Sequence, residues 1–597
     1  MQGFSHPLIE QAQALLHKYY GYSSFRSGQV PLIGQILQGQ DTLGIMPTGG
    51  GKSICYQVPA LLFQGLTLVI SPLISLMKDQ VDGLQRLGIA ATYVNSSLSF
   101  PEVKERLQKA AQGWYKLIYV APERLESPSF RTLLQTLPIA QVAVDEAHCV
   151  SQWGHDFRPS YGAIAPMIAE LPYRPVVSAF TATATTEVTH DIIRLLGLRQ
   201  VQPYITGFNR ENLTFSVLRG ENKRDFIFRY LSDHLDESGI IYGSTRKEVD
   251  QLADFLSRKG FSVAPYHAGL SDEERNRNQE MFLYDDVKVM VASNAFGMGI
   301  DKSNVRFVIH HNMPKNMEAY YQEAGRAGRD GEPSACILLF SPQDILVQKF
   351  LIEQSPMSLE RKSYEYKKLQ AMIDYCYTPQ CLRHYILRYF GEKASGHCDD
   401  CSNCLDDRES VDVTIEAQKI FSCVKRMGER FGTSMVASVL KGSKSKKVMN
   451  QGFDKLSTYN IMSEYKEKEI VDLINLFCAE GYLVMTEGQY PVLQVAPRAM
   501  PVLRGQEKVY QKVQKRQAQK KESDPSLFEA LRTLRKEISQ KEQIPPYIIF
   551  HDSTLREMAQ SRPLDQLAML SIKGIGENKY RLYGEAFLSL IQDFENP

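Results

Sequence analysis

The sequence predicts an α/β protein with two parallel sheets in tandem, followed by further modules. Short apolar runs alternate with longer amphipathic stretches over the first 341 residues. Stretches of that length suit helices that cross over between parallel strands. The alternation pauses near residue 206 and then restarts, which indicates two separate sheets. A chain of 597 residues is long enough for about four domains.

Each strand is predicted from an apolar run between turn-forming residues, and one more strand is expected just before residue 46. The runs of the first sheet are 66–72, 116–122, 140–147 and 176–183. Those of the second sheet are 238–245, 261–269, 287–294, 305–312 and 335–341. Beyond them the pattern predicts helices with a cysteine cluster (342–411), helices with a two-stranded hairpin (412–504), a basic linker (505–523) and a compact helical module (524–597).

Composition narrows the class of protein only slightly. Hydrophobic residues make up 43% of the chain and charged residues 23%, which is ordinary for a folded globular protein. The formal net charge of +1 gives no sign of a polyanionic partner, so evidence for such a partner has to come from local clusters of charge. We expect no secretory signal at the N-terminus and no membrane-spanning helix.

A phosphate-binding loop is predicted at residues 46–53, "MPTGGGKS". Glycines let the backbone wrap closely around phosphates with its N–H groups pointing inward. Lys52 is predicted to reach the terminal phosphates and Ser53 to bind Mg²⁺. The strict consensus has glycine where Met46 stands, and the alternative is a simple glycine-rich turn. The predicted backbone cradle comprises Thr48, Gly49, Gly50 and Gly51.

Two acids end the third run of the first sheet. Asp145 is predicted to hold the water shell of Mg²⁺, and Glu146 to orient or deprotonate the attacking water. The alternative is a solvated strand end, which the phosphate-binding loop in the same domain makes less attractive.

An aromatic and charged segment follows at once, "CVSQWGHDFRPSY". Trp153 and Phe157 offer ring faces for base stacking, and Arg158 offers a partner for a phosphate or an acid. Local packing beneath the sheet is an equally good explanation on the residues alone.

Four cysteines form the pattern C-x16-C-x2-C-x2-C, at Cys381, Cys398, Cys401 and Cys404. Four thiolates suit tetrahedral zinc, and they also suit an iron–sulfur cluster. Cys376 is interpreted as an ordinary helix residue, and the other five cysteines as buried.

The motifs together resemble those of RecQ-type DNA helicases in superfamily 2. The cradle, "DEAH", "AFTATAT", "YHAGL", "ASNAFGMGIDKSNVRFVIH" and "YYQEAGRAGRDG" occur in that family's order. The resemblance implies RecA-like domains at 1–206 and 207–341, a structural zinc module at 342–411, a winged helix at 412–504 and an HRDC module at 524–597. It favours zinc over an iron–sulfur cluster. For the aromatic segment it favours a role in coupling DNA binding to the catalytic acids over a role in local packing.

The resemblance also implies roles for single residues. Tyr22 and Arg26 are expected to pack on adenine, Gln29 to recognise its edge, and Gln322 to contact the nucleotide. Arg326 and Arg329 stand one helical turn apart in the sequence. Arg329 is the better candidate for the arginine finger, the residue that neutralises charge on the transferred phosphoryl group. The structural alternative is that the pair caps a helix and bridges to acids. The expected DNA contacts are Ser71, Arg124 and, at a junction, Tyr490.

Two further DNA contacts are suggested in the appended modules. Four lysines in "VLKGSKSKK" (439–447) could grip duplex phosphates or form a solvated loop. Gly574 and Gly576 could present backbone N–H groups to a phosphate, with Lys573, Lys579 and Arg581 nearby. The tail is expected to be loosely held, to tune the choice of DNA and to be dispensable for hydrolysis.

The implied function is an ATP- and Mg²⁺-dependent DNA helicase that moves 3′ to 5′ and acts in recombination, repair and the SOS response. The implied setting is the bacterial cytoplasm and nucleoid, with a monomer acting on single-stranded, forked or branched DNA beside a single-stranded-DNA-binding protein. A DEAH-type RNA helicase and a catalytically inactive DNA-binding scaffold are the alternatives.

Overall fold

The structure is a computed structural model. It describes residues 7–95, 98–154, 156–297, 302–394, 396–406, 410–486, 491–512, 526–563, 565–572 and 574–595. Within these ranges no helix is both long and apolar enough to cross a membrane.

The first domain is a seven-stranded parallel sheet in the order β3-β4-β2-β5-β6-β1-β7. Its strands are β1 (Thr42–Ile45), β2 (Leu66–Ile70), β3 (Ala91–Val94), β4 (Leu117–Val120), β5 (Ile139–Val144), β6 (Val176–Thr181) and β7 (Tyr204–Ile205). Its helices are α1 (Pro7–Leu15), α2 (Gln29–Leu37), α3 (Lys52–Leu62), α4 (Ile74–Arg86), α5 (Phe100–Ala111), α6 (Pro128–Leu134), α7 (Ile164–Glu170) and α8 (Thr186–Leu195). Helices pack on both faces, so the central strands are mostly apolar, and the buried polar side chain of Gln141 bonds to Thr67 and Ser178 on the neighbouring strands.

The second domain is a six-stranded parallel sheet in the order β10-β11-β9-β12-β13-β8. Its strands are β8 (Leu213–Arg219), β9 (Ser238–Tyr242), β10 (Val263–Tyr266), β11 (Val289–Ala292), β12 (Val305–His310) and β13 (Ser334–Phe340). Its helices are α9 (Lys223–Asp233), α10 (Arg246–Arg258), α11 (Asp272–Leu283) and α12 (Met317–Ala324). The two predicted parallel sheets are therefore confirmed, and all nine predicted runs contain a strand.

A helical module with the cysteines follows, comprising α13 (Pro342–Gln354), α14 (Leu359–Tyr377) and α15 (Leu382–Tyr389). Its apolar side chains belong to the same buried cluster as one face of each sheet. Arg383 of α15 donates to the carbonyl oxygen of Leu213 at 2.9 Å and to Asp400 at 2.9 Å. The module is thus packed against the second domain and is not a detached appendage.

The next module has its own core. It contains β14 (Ser410–Asp412), α16 (Thr414–Arg426), α17 (Thr433–Lys441), α18 (Lys446–Asn450), α19 (Glu467–Ala479), β15 (Leu483–Met485), β16 (Leu493–Val495), α20 (Met500–Leu503) and β17 (Tyr510–Lys512). The structure corrects the linker prediction for residues up to 512. β17 pairs antiparallel with β14, and Val509 is buried in this core.

The last module is all-helical, with α21 (Ser526–Glu542), α22 (Pro546–Ile549), α23 (Asp552–Ser561), α24 (Gln566–Ser571), α25 (Glu577–Lys579) and α26 (Glu585–Glu595). The expectation of a loosely held tail is wrong in this structure. His551 lies 2.7 Å from the Ser303 hydroxyl, and Arg556 forms an ion pair with Glu332 at 3.0 Å. The tail therefore docks on the second domain.

Candidate nucleotide cleft and nucleic-acid interface

The predicted phosphate-binding loop joins β1 to α3, which begins at Lys52. Gly49 and Gly51 both have φ near 80°, a conformation that glycine adopts at little cost. A Cβ atom on Gly51 would stand 2.4 Å from Nε2 of Gln29. The loop therefore needs glycine both for its backbone shape and for the close approach of a neighbouring side chain.

Lys52, Asp145 and Glu146 lie together at this end of the sheet. Burial lowers the pKa of Lys52, and the two acids oppose that shift. Burial and then Glu146 raise the pKa of Asp145 to about 7, although Lys52 acts in the other direction. A buried carboxyl with a raised pKa gains from a nearby cation, so this set of groups fits a divalent metal beside phosphates.

Glu146 stands at a bend, with φ 46° in the left-handed region. Its Oε2 atom is 3.3 Å from Nδ1 of His148, which also lies 2.8 Å from the Thr181 hydroxyl. Burial and then the charge of Lys52 lower the pKa of His148 to about 3, so the imidazole is neutral. His148 thus lies between the acids and "AFTATAT" and contacts both.

The predicted adenine side is tied to the phosphate-binding loop by its own side chains. Gln29 Nε2 donates to the carbonyl oxygen of Gly51 at 3.0 Å, and its Oε1 accepts from the backbone N–H of Arg26 at 2.7 Å. The Arg26 guanidinium donates to the carbonyl oxygen of Gly49. Half-buried Tyr22 lines the same cleft. These residues are brought together as predicted, but Arg26 is engaged with the loop itself.

The second domain supplies its arginines from the far side of the cleft. α12 ends at Ala324, so Arg326 and Arg329 lie in the turns after the helix and not on one helical face, as the spacing had suggested. A Cβ atom on Gly49 would be 3.5 Å from Cα of Arg329. Arg329 therefore stands at the phosphate-binding loop, with Gln322 and Arg326 lining the same cleft.

Arg210 was not singled out from the sequence, yet it joins the two domains across this cleft. Its guanidinium donates to the carbonyl oxygen of Thr48 at 2.5 Å and to that of Gly328 at 2.7 Å. Burial lowers its pKa. The segment between the two sheets, "GFNRENL", held the signal: a basic residue where the chain crosses from one domain to the other.

The helical tail forms part of the wall of the cleft, which has a volume of about 570 Å³. Tyr547, His551 and Tyr583 of the tail line it together with the phosphate-binding loop. A Cβ atom on Gly21 would be 2.5 Å from the backbone nitrogen of Gly576. Gly576 is therefore covered by the first domain, which corrects the expectation that this turn is open to a phosphate.

Two of the predicted DNA contacts are engaged inside the first domain. Ser71 is fully buried, so its side chain offers no surface to a strand in this arrangement. Arg124 donates to the carbonyl oxygens of Asn95 and Leu98, both at 3.1 Å, which gives it a structural role here. Tyr490, the third candidate, lies outside the described residues.

The aromatic segment folds back towards the acids. The Tyr161 hydroxyl donates to the carbonyl oxygen of Asp145 at 2.9 Å, and Arg158 donates to that of Pro72 at 2.8 Å. Trp153 is half-buried and packs edge-on against Tyr364, whereas Phe157 is 46% exposed. The segment therefore touches the catalytic end of the sheet on one side and solvent on the other.

The four predicted metal ligands converge. Sγ atoms of Cys381, Cys398, Cys401 and Cys404 all lie within 4.8 Å of one another. Two of the separations are 3.9 and 4.0 Å. Tetrahedral zinc with Zn–S of about 2.3 Å requires sulfurs about 3.8 Å apart, so the cluster fits that ion. The backbone N–H of Leu382 points at Sγ of Cys401 at 3.4 Å, as suits a thiolate.

Two parallel-sheet domains with a phosphate-binding loop on one and arginines on the other define a helicase-type nucleotide motor. Parts of the chain match the models described as DEAD/DEAH box helicase (26–192), helicase conserved C-terminal domain (222–331), RecQ zinc-binding (342–405), RQC domain (407–520) and HRDC domain (524–591).

Curated relatives cover almost the whole chain. The ATP-dependent DNA helicase RecQ of Bacillus subtilis is 52% identical over 588 residues, which are 98% of this chain and 99% of that protein. The protein of the same name from Pasteurella multocida is 41% identical, over 98% of this chain and 94% of its own length. The chain belongs to the RecQ family of ATP-dependent DNA helicases.

Proposed function

We propose that this protein hydrolyses ATP with Mg²⁺ to move 3′ to 5′ along one DNA strand and so separate duplex or branched DNA in recombination and repair. The observation that carries the proposal is the position of Arg329 beside the phosphate-binding loop of the other domain. A site divided between two domains couples their separation to the state of the nucleotide.

The residues around the phosphate-binding loop have separate tasks. Gly49, Gly51 and Lys52 hold the phosphates, while Ser53 and Asp145 hold Mg²⁺, which would offset charge between the phosphates. Glu146 orients the attacking water, and Arg326 and Arg329 neutralise the charge that develops on the transferred group. Burial of Lys52 strengthens its interaction with phosphate, because little water competes.

The modules divide the remaining work. Residues 1–206 and 207–341 form the motor, 342–411 hold a structural zinc, 412–512 contact duplex DNA and 524–597 regulate access to the cleft. Exposed Lys444, Lys446 and Lys447 support the duplex contact. We assign the protein to the bacterial cytoplasm and nucleoid as a monomer that works beside a single-stranded-DNA-binding protein.

Stimulation of ATP hydrolysis by nucleic acid tests this proposal against an RNA helicase. Single-stranded DNA should stimulate hydrolysis and single-stranded RNA of the same sequence should not, and RNA should compete poorly when both are present. Equal stimulation by RNA would contradict the DNA assignment. A chain that binds DNA but hydrolyses no ATP would instead be the inactive scaffold.

A further inference from the structure

Helix α14 of the zinc-binding module contacts both motor domains at the points where DNA binding and hydrolysis are to be coupled. Three of its residues, Arg361, Tyr364 and Lys368, lie on one face at helical spacing. We call these three residues the α14 brace. They contact the aromatic segment and Thr185, the last residue of "AFTATAT", in the first domain, and α12 in the second.

Lys368 bonds to both domains at once. Its Nζ atom donates to the carbonyl oxygen of Trp153 at 3.1 Å and forms an ion pair with Glu318 at 2.9 Å. Lys368 is 4% exposed and Glu318 is 3% exposed, so water competes little for this pair. Glu318 lies in the first turn of α12, the helix that leads to Arg326 and Arg329.

Arg361 and Tyr364 hold the tryptophan itself. The Arg361 guanidinium donates to the carbonyl oxygen of Gly154 at 3.0 Å and lies 5.8 Å from the centre of the Trp153 ring. The Tyr364 ring meets Trp153 edge-on at 5.1 Å, and its hydroxyl is hydrogen-bonded to Thr185. A base cannot stack on the ring face that Arg361 occupies without displacing the guanidinium.

We infer that the α14 brace is a set of positioning residues that holds the aromatic segment in its DNA-free place and links it to α12. This inference rests on the proposed coupling of DNA binding to hydrolysis. A strand that takes up Trp153 must break the bonds to the carbonyl oxygens of Trp153 and Gly154. Lys368 then keeps its ion pair with Glu318 but loses its bond to the first domain, which lets the two motor domains shift relative to one another as ATP is hydrolysed.

The test uses Lys368→Met, which removes the charge and keeps an unbranched apolar side chain of similar length. DNA should then stimulate ATP hydrolysis half-maximally at a concentration about tenfold lower, because a charge-assisted hydrogen bond of the resting state is lost. The DNA-free rate should rise, and the maximal rate should stay within about twofold. Lys362→Met is the matched control, since Lys362 bonds to Glu353 of its own module.

Tryptophan fluorescence gives a second readout that a merely structural role would not move. The chain has two tryptophans, so Trp114→Phe leaves Trp153 as the sole reporter. In that background, emission of DNA-free Lys368→Met should be shifted from emission of the DNA-free parent, whereas Lys362→Met should leave it unchanged, because only Lys368 bonds to Trp153. Tyr364→Phe, which loses only the bond to Thr185, should shift the emission the same way to a smaller extent.

A double variant covers the case in which Lys368→Met fails to fold because Glu318 is left uncompensated. Lys368→Met with Glu318→Gln removes both charges and should show the same lowered DNA requirement. The inference is overturned if these variants match Lys362→Met, or if the maximal rate falls while the DNA requirement stays the same. A wild-type chain with no DNA-stimulated hydrolysis would instead refute the proposed function.

Discussion

Removal of the helical tail should speed the release of nucleotide from the cleft. The tail and the phosphate-binding loop line the same cleft, so we expect the docked tail to obstruct the route by which a bound nucleotide leaves. A variant that ends at residue 523 keeps β17 and the buried Val509, and it removes only the docked module.

The size of the effect follows from the contacts that hold the tail. Among the described residues, three hydrogen bonds and two ion pairs join it to the second domain. At roughly 0.2–1 kcal/mol for each exposed ion pair and about 0.5–1.5 kcal/mol for each hydrogen bond, they sum to about 2–6.5 kcal/mol. If release requires undocking, the truncated chain should release nucleotide at least about 30-fold faster.

Stopped-flow release of a fluorescent ATP analogue measures this rate directly. Arg556→Ala, which removes one contact, should lie between the full-length and truncated chains, and exposed Lys541→Ala is the charge-matched control. At about 1 M salt the full-length chain should release nucleotide somewhat faster but still more slowly than the truncated one, because salt screens the two ion pairs and leaves the hydrogen bonds. Equal release rates with and without the tail at low salt would refute the blocking role.

Three further outcomes are expected. Lys52→Ala should bind DNA normally and hydrolyse no ATP, as followed by phosphate release; hydrolysis near the wild-type rate would remove Lys52 from the site. Trp153→Ala should still bind ATP but lose most of the stimulation by DNA, and unchanged stimulation would make the segment simple packing. Cys401→Ser should lower thermal stability and zinc content, because metal binding contributes to folding free energy in such sites; iron in elemental analysis would exclude zinc.

The sheets could be predicted because their strands are buried on both faces. Runs such as Ile139–Val144 contain almost nothing polar, and helices on each side allow no alternation. β8 was missed for the opposite reason. It is an edge strand whose side chains are only half-buried after Phe215, so "LTFSVLR" gives no continuous apolar run.

Residues of the candidate site could be found where one short segment carries the chemistry. The three glycines before Lys52 and the acids after β5 are local patterns, and the structure brings them together. Arg210 could be noticed as a basic residue between the two sheets, but its bonds across the cleft and the docking of the tail could not be found in this way, since each joins segments more than a hundred residues apart. Val509 was misassigned because one buried side chain among polar neighbours looks like a linker.

Strand separation on matched substrates tests the central claim most directly. We expect that, with ATP and Mg²⁺, the protein opens a DNA duplex with a 3′ single-stranded tail. A blunt duplex, a 5′-tailed duplex and an RNA duplex should stay closed, and Lys52→Ala should open none of them. Opening of the 5′-tailed or RNA duplex at the same rate, or opening by Lys52→Ala, would contradict the assignment as a 3′-to-5′ DNA helicase.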